Sequence, residues 1–163
     1  MDPYYESLPR KRVGAGVLLL NPIGEMLLVE PVYKPHWSIP GGVVDADESP
    51  WKACQREVFE EIGLELASLK LLCVSWTFTP SKRESLQFLF DGGELSPQDC
   101  MAVLPNPKEL QAAEFLAPQQ ALPKLAEPLR SRVWHGLMAQ KSGNTVYLEQ
   151  VQSPQGWITK EVN

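Results

Sequence analysis

A chain of 163 residues, 44% hydrophobic and 21% charged, carries enough apolar mass for one packed core and lacks the low-complexity bias of disordered or fibrous proteins. Its net charge of −5, with no basic run longer than Arg10-Lys11-Arg12, argues against a nucleic-acid-binding surface. Three scattered cysteines (Cys54, Cys73, Cys100) and two histidines (His36, His135) form no Cys-x-x-Cys pair, which argues against a disulfide framework or zinc centre and for a reducing compartment, the cytoplasm.

Residues 1–9 are a polar lead-in, a candidate mobile segment ahead of one domain spanning 1–163, with no secretory h-region. Val13 to Leu20 is continuously apolar, too short to cross a bilayer, and predicts a strand buried on both faces. No membrane association is expected. Asn21-Pro22-Ile23-Gly24 predicts a tight turn and Met26 to Val29 the return strand of a hairpin. Trp37 to Ile39 is a short extended piece ended by Pro40-Gly41-Gly42. Ser49-Pro50 supplies a helix cap and first-turn proline, Trp51 to Ile62 continues without Gly or Pro, and Gly63 stops the helix.

Leu69 to Phe78 and Leu86 to Phe90 predict strands, followed by a turn at Asp91-Gly92-Gly93. A short strand at Glu114 to Leu116, helices at Gln119 to Leu125 and Leu129 to Gln140, and an edge strand at Thr145 to Val151 complete the chain. Strands and helices do not alternate regularly, so the expected class is α+β, with helices packed on a mixed sheet.

The chemistry concentrates on the helix. At about 100° per residue, Glu57, Glu60 and Glu61 fall at about 0°, 300° and 40°. Trp51, Cys54, Val58 and Ile62 form a separate apolar stripe between about 60° and 140°. Three carboxylates at i, i+3 and i+4 repel one another, and only Arg56 offers local relief. On this triplet alone a solvated acidic face is the simpler explanation. A hard divalent cation converts the repulsion into binding, and magnesium takes oxygen ligands shared between carboxylates and substrate phosphates. Just upstream, the glycines of Pro40-Gly41-Gly42 allow close backbone approach to a ligand.

The whole segment reads Gly42, five residues, Glu48, seven residues, Arg56-Glu57-Val58, one residue, Glu60-Glu61, one residue, Gly63-Leu64. It resembles the signature of the Nudix hydrolases at all nine specified positions, and Trp37-Ser38-Ile39-Pro40-Gly41-Gly42 resembles the family's lead-in. The resemblance implies an α/β/α sandwich and a hydrolase in which Mg2+ or Mn2+ is held by Glu57, Glu60 and Glu61 with the Gly41 carbonyl. It implies that Glu48 and Arg56 brace loop against helix, and that water attacks phosphorus in a nucleoside diphosphate linked to another group. The expected partner is thus a small nucleotide-type molecule, with oligomeric state open. Glu57 or Glu60 is the first choice of general base and Glu84 the fallback. Glu109, ahead of Glu114, is the additional acid at the substrate or metal site. Among Tyr33, Trp76, Phe78, Phe88 and Phe90, the candidates for stacking on a base are Trp76 and Phe78.

A nucleoside triphosphate fits the signature, as does an ADP-ribose-like substrate, suggested by Pro80 sixteen residues past Leu64. A non-catalytic sensor built on the same fold is the alternative; such modules lose the helix glutamates kept here. An isoprenoid diphosphate isomerase of the same superfamily departs from the intact signature.

Overall fold

The computed structural model describes residues 2–162. A short helix α1 (Pro3–Glu6), started by the Asp2 side chain, occupies the lead-in. Strands β1 (Arg12–Leu20) and β2 (Met26–Pro31) form the expected hairpin, and Asn21 closes its turn by accepting through Oδ1 from the Ile23 and Glu25 amides. β3 (Gly41–Val43) pairs antiparallel with the first half of β1, so Gly41-Gly42 belongs to the sheet rather than ending it.

Helix α2 (Pro50–Ile62) begins where the Ser49 hydroxyl accepts from the Lys52 amide, a cap worth about 1 kcal/mol. It ends at Gly63, whose φ of 74° places it in the left-handed region that glycine adopts without penalty. β4 (Lys70–Thr79) and β5 (Arg83–Glu94) follow. The turn expected at Asp91-Gly92-Gly93 is absent: β5 runs on to Glu94 beside β1, the glycines absorbing a register shift between Leu18 and Leu20. Ser96 caps a short helix α3 (Pro97–Ala102), which sequence patterning did not suggest.

β6 (Leu110–Leu116) extends the short strand expected at its end and pairs with β2. The helix expected over Gln119 to Leu125 divides into α4 (Pro118–Ala121) and a 3-10 turn, Leu122–Lys124. α5 (Leu129–Ser142) and β7 (Val146–Ser153) appear as expected, but β7 is not an edge, because β8 (Gly156–Val162) pairs beyond it.

The sheet runs β6-β2-β1-β5-β4-β7-β8, with β3 attached to β1; β1–β5 and β4–β7 are parallel and the other pairs antiparallel. β1 feeds both faces. Ala15, Val17 and Leu19 join Cys54, Val58 and Ile62 in a core under α2, while Leu18 joins Leu89, Val133, Leu137 and Leu148 in a core under α5. The result is an α/β/α sandwich with a mixed sheet. Two side chains of α2 depart from the expected stripes. Trp51 packs edge-on against Phe90 yet stays 38% exposed. Glu61 is 4% exposed, because its position on the helical wheel adjoins the apolar stripe. No helix among the described residues is long and apolar enough to cross a membrane.

Candidate active site

The register of β3 explains how the glycine loop meets the acidic helix. Val17 N–H donates to the Pro40 carbonyl and Val44 N–H to the Val13 carbonyl, so Gly41 and Val43 occupy the non-hydrogen-bonded positions of the antiparallel ladder. Their backbone groups are free for α2. Gly41 N–H donates to Glu61 Oε2 at 2.9 Å, and the Val43 carbonyl accepts from Arg56 Nη2 at 3.1 Å. Between them, Gly42 lies against the Glu57 carboxylate so closely that a Cβ would collide with it. Only glycine permits that approach.

Arg56 is the centre of the acid cluster. Its Nε and Nη2 bind Glu48 at 3.0 and 2.9 Å, its Nη1 binds Glu57 and Glu60 at 2.9 and 3.1 Å, and Asp45 stands 3.7 Å away. The pair with Arg56 holds the Glu48 carboxyl below its usual range. Burial pushes Glu57 above its usual range, against the opposing pull of Arg56. Glu61 has no cationic partner within salt-bridge distance among the described residues. Burial raises it to about 7, with Glu57 and Glu109 adding to the rise and the Gly41 amide opposing it.

Glu57 also lines a cavity of about 520 Å3 on the α5 side of the sheet. The strands β1, β3 and β5, the loop residues Tyr33 and Lys34, and Leu129 and Arg132 of α5 make up its walls. Arg12, Lys34 and Arg132 are its cations, so an acidic protein presents three positive side chains facing one acid. Tyr33 is 64% exposed at the rim, and its hydroxyl is raised first by burial and then by Glu61, Glu57 and Glu109.

Glu57, Glu60, Glu61, Gly41, Glu48 and Arg56 are thus brought together. Glu109 joins them through its field on Glu57 and Glu61, held by Asn106, whose Nδ2 donates to Glu109 Oε1 at 3.3 Å. Glu114, on β6, is exposed and pairs across the ladder with Leu28. Glu84 lies elsewhere. Bonds from Lys11 at 2.6 Å and the Trp76 indole at 3.0 Å hold its carboxyl low, which unsuits it to act as a base.

Trp76 and Phe78 stack on each other, with the Arg83 guanidinium over Phe78. They alternate with Ser75 and Thr77, which bond to Arg132 of α5, so they point to the sheet face away from the cavity. Phe88 packs its side chain with the core under α2, which leaves Tyr33 as the aromatic side chain at the cavity. Tyr33 was among the aromatic candidates; Lys34, Arg132 and Asn106 gave no signal in the sequence, since loop and late-helix residues converge here only through the fold.

Among the described residues, no three His, Cys, Asp or Glu side chains already converge as a metal cage. The donor set nevertheless suits a hard cation: the Glu57 carboxylate at the cavity with Gly42 pressed against it, and the neighbouring Glu61 carboxylate, buried with no cation in salt-bridge distance among the described residues.

An α/β/α sandwich in which a glycine-bearing strand and an acid helix jointly border a cationic cavity defines a class. The NUDIX domain model matches residues 10–136, and the chain belongs to that family. Over 61 residues it is 36% identical to an RNA pyrophosphohydrolase of Stutzerimonas stutzeri, a match covering 37% of this chain and 38% of that protein. The chain spans about two fifths of the length of the curated relatives it matches. Among solved structures, a MutT protein from Methanosarcina mazei superposes with a TM-score of 0.67 at 22% identity, covering 84% of this chain and 99% of that one. A MutT NUDIX hydrolase from Burkholderia pseudomallei gives 0.60 at 26% identity, covering 80% and 98%.

Proposed function

We propose that this chain hydrolyses the diphosphate linkage of a small nucleotide, a nucleoside diphosphate joined to a second group, with Mg2+ or Mn2+ as cofactor. The observation that carries the reading is the shared cavity: Glu57 at its mouth, with Glu61 beside it, and Arg12, Lys34 and Arg132 along its walls. Acids without a substrate-side cation would repel a diphosphate, and cations alone would bind one without activating water. Glu57, Glu60 and Glu61, with the Gly41 carbonyl, are the groups to hold the metal. When bound, such a cation lowers the pKa of water and offsets charge on the leaving phosphate.

The protein's own residues do the rest. Glu48 holds Arg56, and Arg56 fixes Glu57 and Glu60. Lys34 supplies positive charge where phosphate oxygens approach. Of the two glutamates considered as base, Glu57 lines the cavity while Glu60 turns outward onto Arg56, which favours Glu57 as the group that takes the proton from attacking water.

The test is a panel of nucleoside triphosphates, ADP-ribose, other nucleoside diphosphate conjugates, nucleoside monophosphates and a 5′-triphosphorylated RNA oligonucleotide, incubated with each metal and assayed by chromatographic separation of the products. Turnover of one or more small diphosphates and inert phosphate monoesters are expected. Absence of any diphosphate turnover, or equal turnover of monoesters, overturns the reading. Turnover of the RNA alone replaces the small nucleotide with the class of substrate named in the curated relatives.

A further inference from the structure

The floor of the cavity contains a buried cation without an acid. Arg132 is 8% exposed, and no carboxylate pairs with it among the described residues. Its Nε donates to Ser75 Oγ at 2.8 Å, and its Nη2 donates to Gln150 Oε1 at 3.0 Å and Thr77 Oγ1 at 3.4 Å. Gln150 is itself anchored, its Nε2 donating to the Pro128 carbonyl at 2.8 Å. Two edges of the guanidinium are consumed, and its plane is fixed.

The third edge, Nη1, has no partner among the described residues. No sealed side-chain nitrogen or oxygen there lacks a hydrogen bond, so Nη1 is not sealed, and Arg132 lines the cavity. Burying a guanidinium is costly unless something compensates it. Neutral hydroxyls and an amide compensate part; an oxygen of a ligand would supply the remainder.

The sheet register locates this group relative to β3, the strand that Glu57 and Glu61 border. Val43, Gly14, Gln87 and Ser75 are successive partners across β3, β1, β5 and β4, one row on the α5 face. Three strand spacings separate the ends of the row, about 14 Å. Gly14, lacking a Cβ, leaves room in the middle of the row for the Gln87 amide, with which a Cβ would collide. Gln87 binds Ser85 Oγ through one end of its amide, and the Ser85 hydroxyl satisfies that end in either orientation, leaving the other for a ligand. A diphosphate held beside β3 at Glu57 and Glu61 therefore ends short of Arg132, and the attached nucleoside extends past the Gln87 amide toward it.

Resting on the function proposed above, we infer that Arg132, with Gln87 beside it, forms the base-recognition floor of this cavity and selects nucleotides whose base presents a carbonyl oxygen, guanine or uracil, over adenine. A guanidinium only donates. The O6 of guanine and the O4 of uracil accept; the amino group of adenine at the corresponding place donates and would meet Nη1 donor to donor. Rejection follows from leaving both buried donors unpaired rather than from shape.

The experiment has two arms. In the first, GMP, UMP and AMP binding to the intact protein is measured by calorimetry, which needs no hydrolysis. In the second, kcat/KM is compared for GTP, UTP and ATP. The expected wild-type preference for the carbonyl bases is about 10-fold or more in each arm. Arg132→Met should remove it by weakening GMP and UMP binding and raising KM for GTP and UTP more than kcat changes. Should Arg132→Met fail to fold, Gln87→Leu provides the second variant, with a reduced guanine-to-adenine ratio expected. Equal binding of GMP and AMP by the wild type, or an unchanged ratio in a folded variant, overturns the inference. Turnover of GTP and ATP at equal efficiency defeats the base floor and leaves the hydrolase reading standing, whereas selective GMP binding without any diphosphate turnover does the reverse.

Discussion

The Glu48 carboxylate grips Arg56 at two points, Oε1 accepting from Nε at 3.0 Å and Oε2 from Nη2 at 2.9 Å. The remaining nitrogen, Nη1, is thereby aimed at Glu57 and Glu60. Arg56 thus ties the loop before α2 to the helix and is the cation shared by four acids. Arg56→Ala should destabilise the metal-free protein by about 2 kcal/mol, or ~6 °C in Tm, and lower kcat as well. Glu48→Gln keeps the cation and should cost less stability while lowering activity about 10- to 100-fold. Thermal unfolding in chelator beside steady-state kinetics checks both. A stable but inactive Arg56→Ala protein would show that Arg56 contacts substrate rather than braces the site.

Glu57→Gln and Glu61→Gln should each reduce kcat by more than about 100-fold at saturating magnesium, beyond the range expected for supporting residues. Neither should lower Tm in chelator, since each removes a member of a like-charge cluster. Exhaustive metal removal from the wild type should abolish turnover, and magnesium or manganese should restore it. Near-wild-type kcat in either variant would remove that glutamate from the ligand set.

The buried Glu61 carboxyl gives the metal-free protein a distinctive pH dependence. Burial raises it from 4.5 to about 7, so the fold favours its protonated form. Its contribution to stability is complete below the unfolded value and is lost as pH rises through the folded value. In chelator, the wild-type Tm should decline between pH 5 and 8, with Glu57 acting in the same direction. Glu61→Gln should flatten the decline. A variant whose Tm falls as steeply as the wild type's across that interval would assign the effect to other groups.

What the sequence revealed follows the range of the interactions involved. The β1–β2 hairpin and α2 were legible because Asn21, Ser49, Pro50 and Gly63 act on their immediate neighbours. β8 was not, because an edge strand whose residues are largely exposed carries no apolar pattern. Asp91-Gly92-Gly93 has the composition of a turn, but pairing with β1 draws it into a strand. At the site, the acids of α2 were legible as a spaced group on one helix. The cavity was not, since Tyr33, Gln87 and Arg132 meet across three elements. Whether Trp76 faces the cavity depends on its parity relative to Ser75 and α5, which no local pattern records.

Asn106 closes the site from a segment that sequence patterning left unassigned. Its amide N–H donates to the Glu61 carbonyl at 2.8 Å and its Nδ2 to the Glu60 carbonyl at 3.2 Å, satisfying carbonyls left open in the last turn of α2. The same Nδ2 reaches Glu109 Oε1 at 3.3 Å, which makes Asn106 the link between the helix end and Glu109. Asn106→Ala keeps the backbone bond and loses both side-chain bonds, so its cost in stability should be about 1 kcal/mol. If it positions Glu109, metal or substrate affinity should fall by about 10-fold or more, and Glu109→Gln should reproduce that loss with little change in Tm. A double variant no worse than either single one in affinity would show that both act through one contact. If Asn106→Ala lowers Tm while affinity and kcat stay at wild-type values, Asn106 is only a helix cap, and Glu109 is not held for the site.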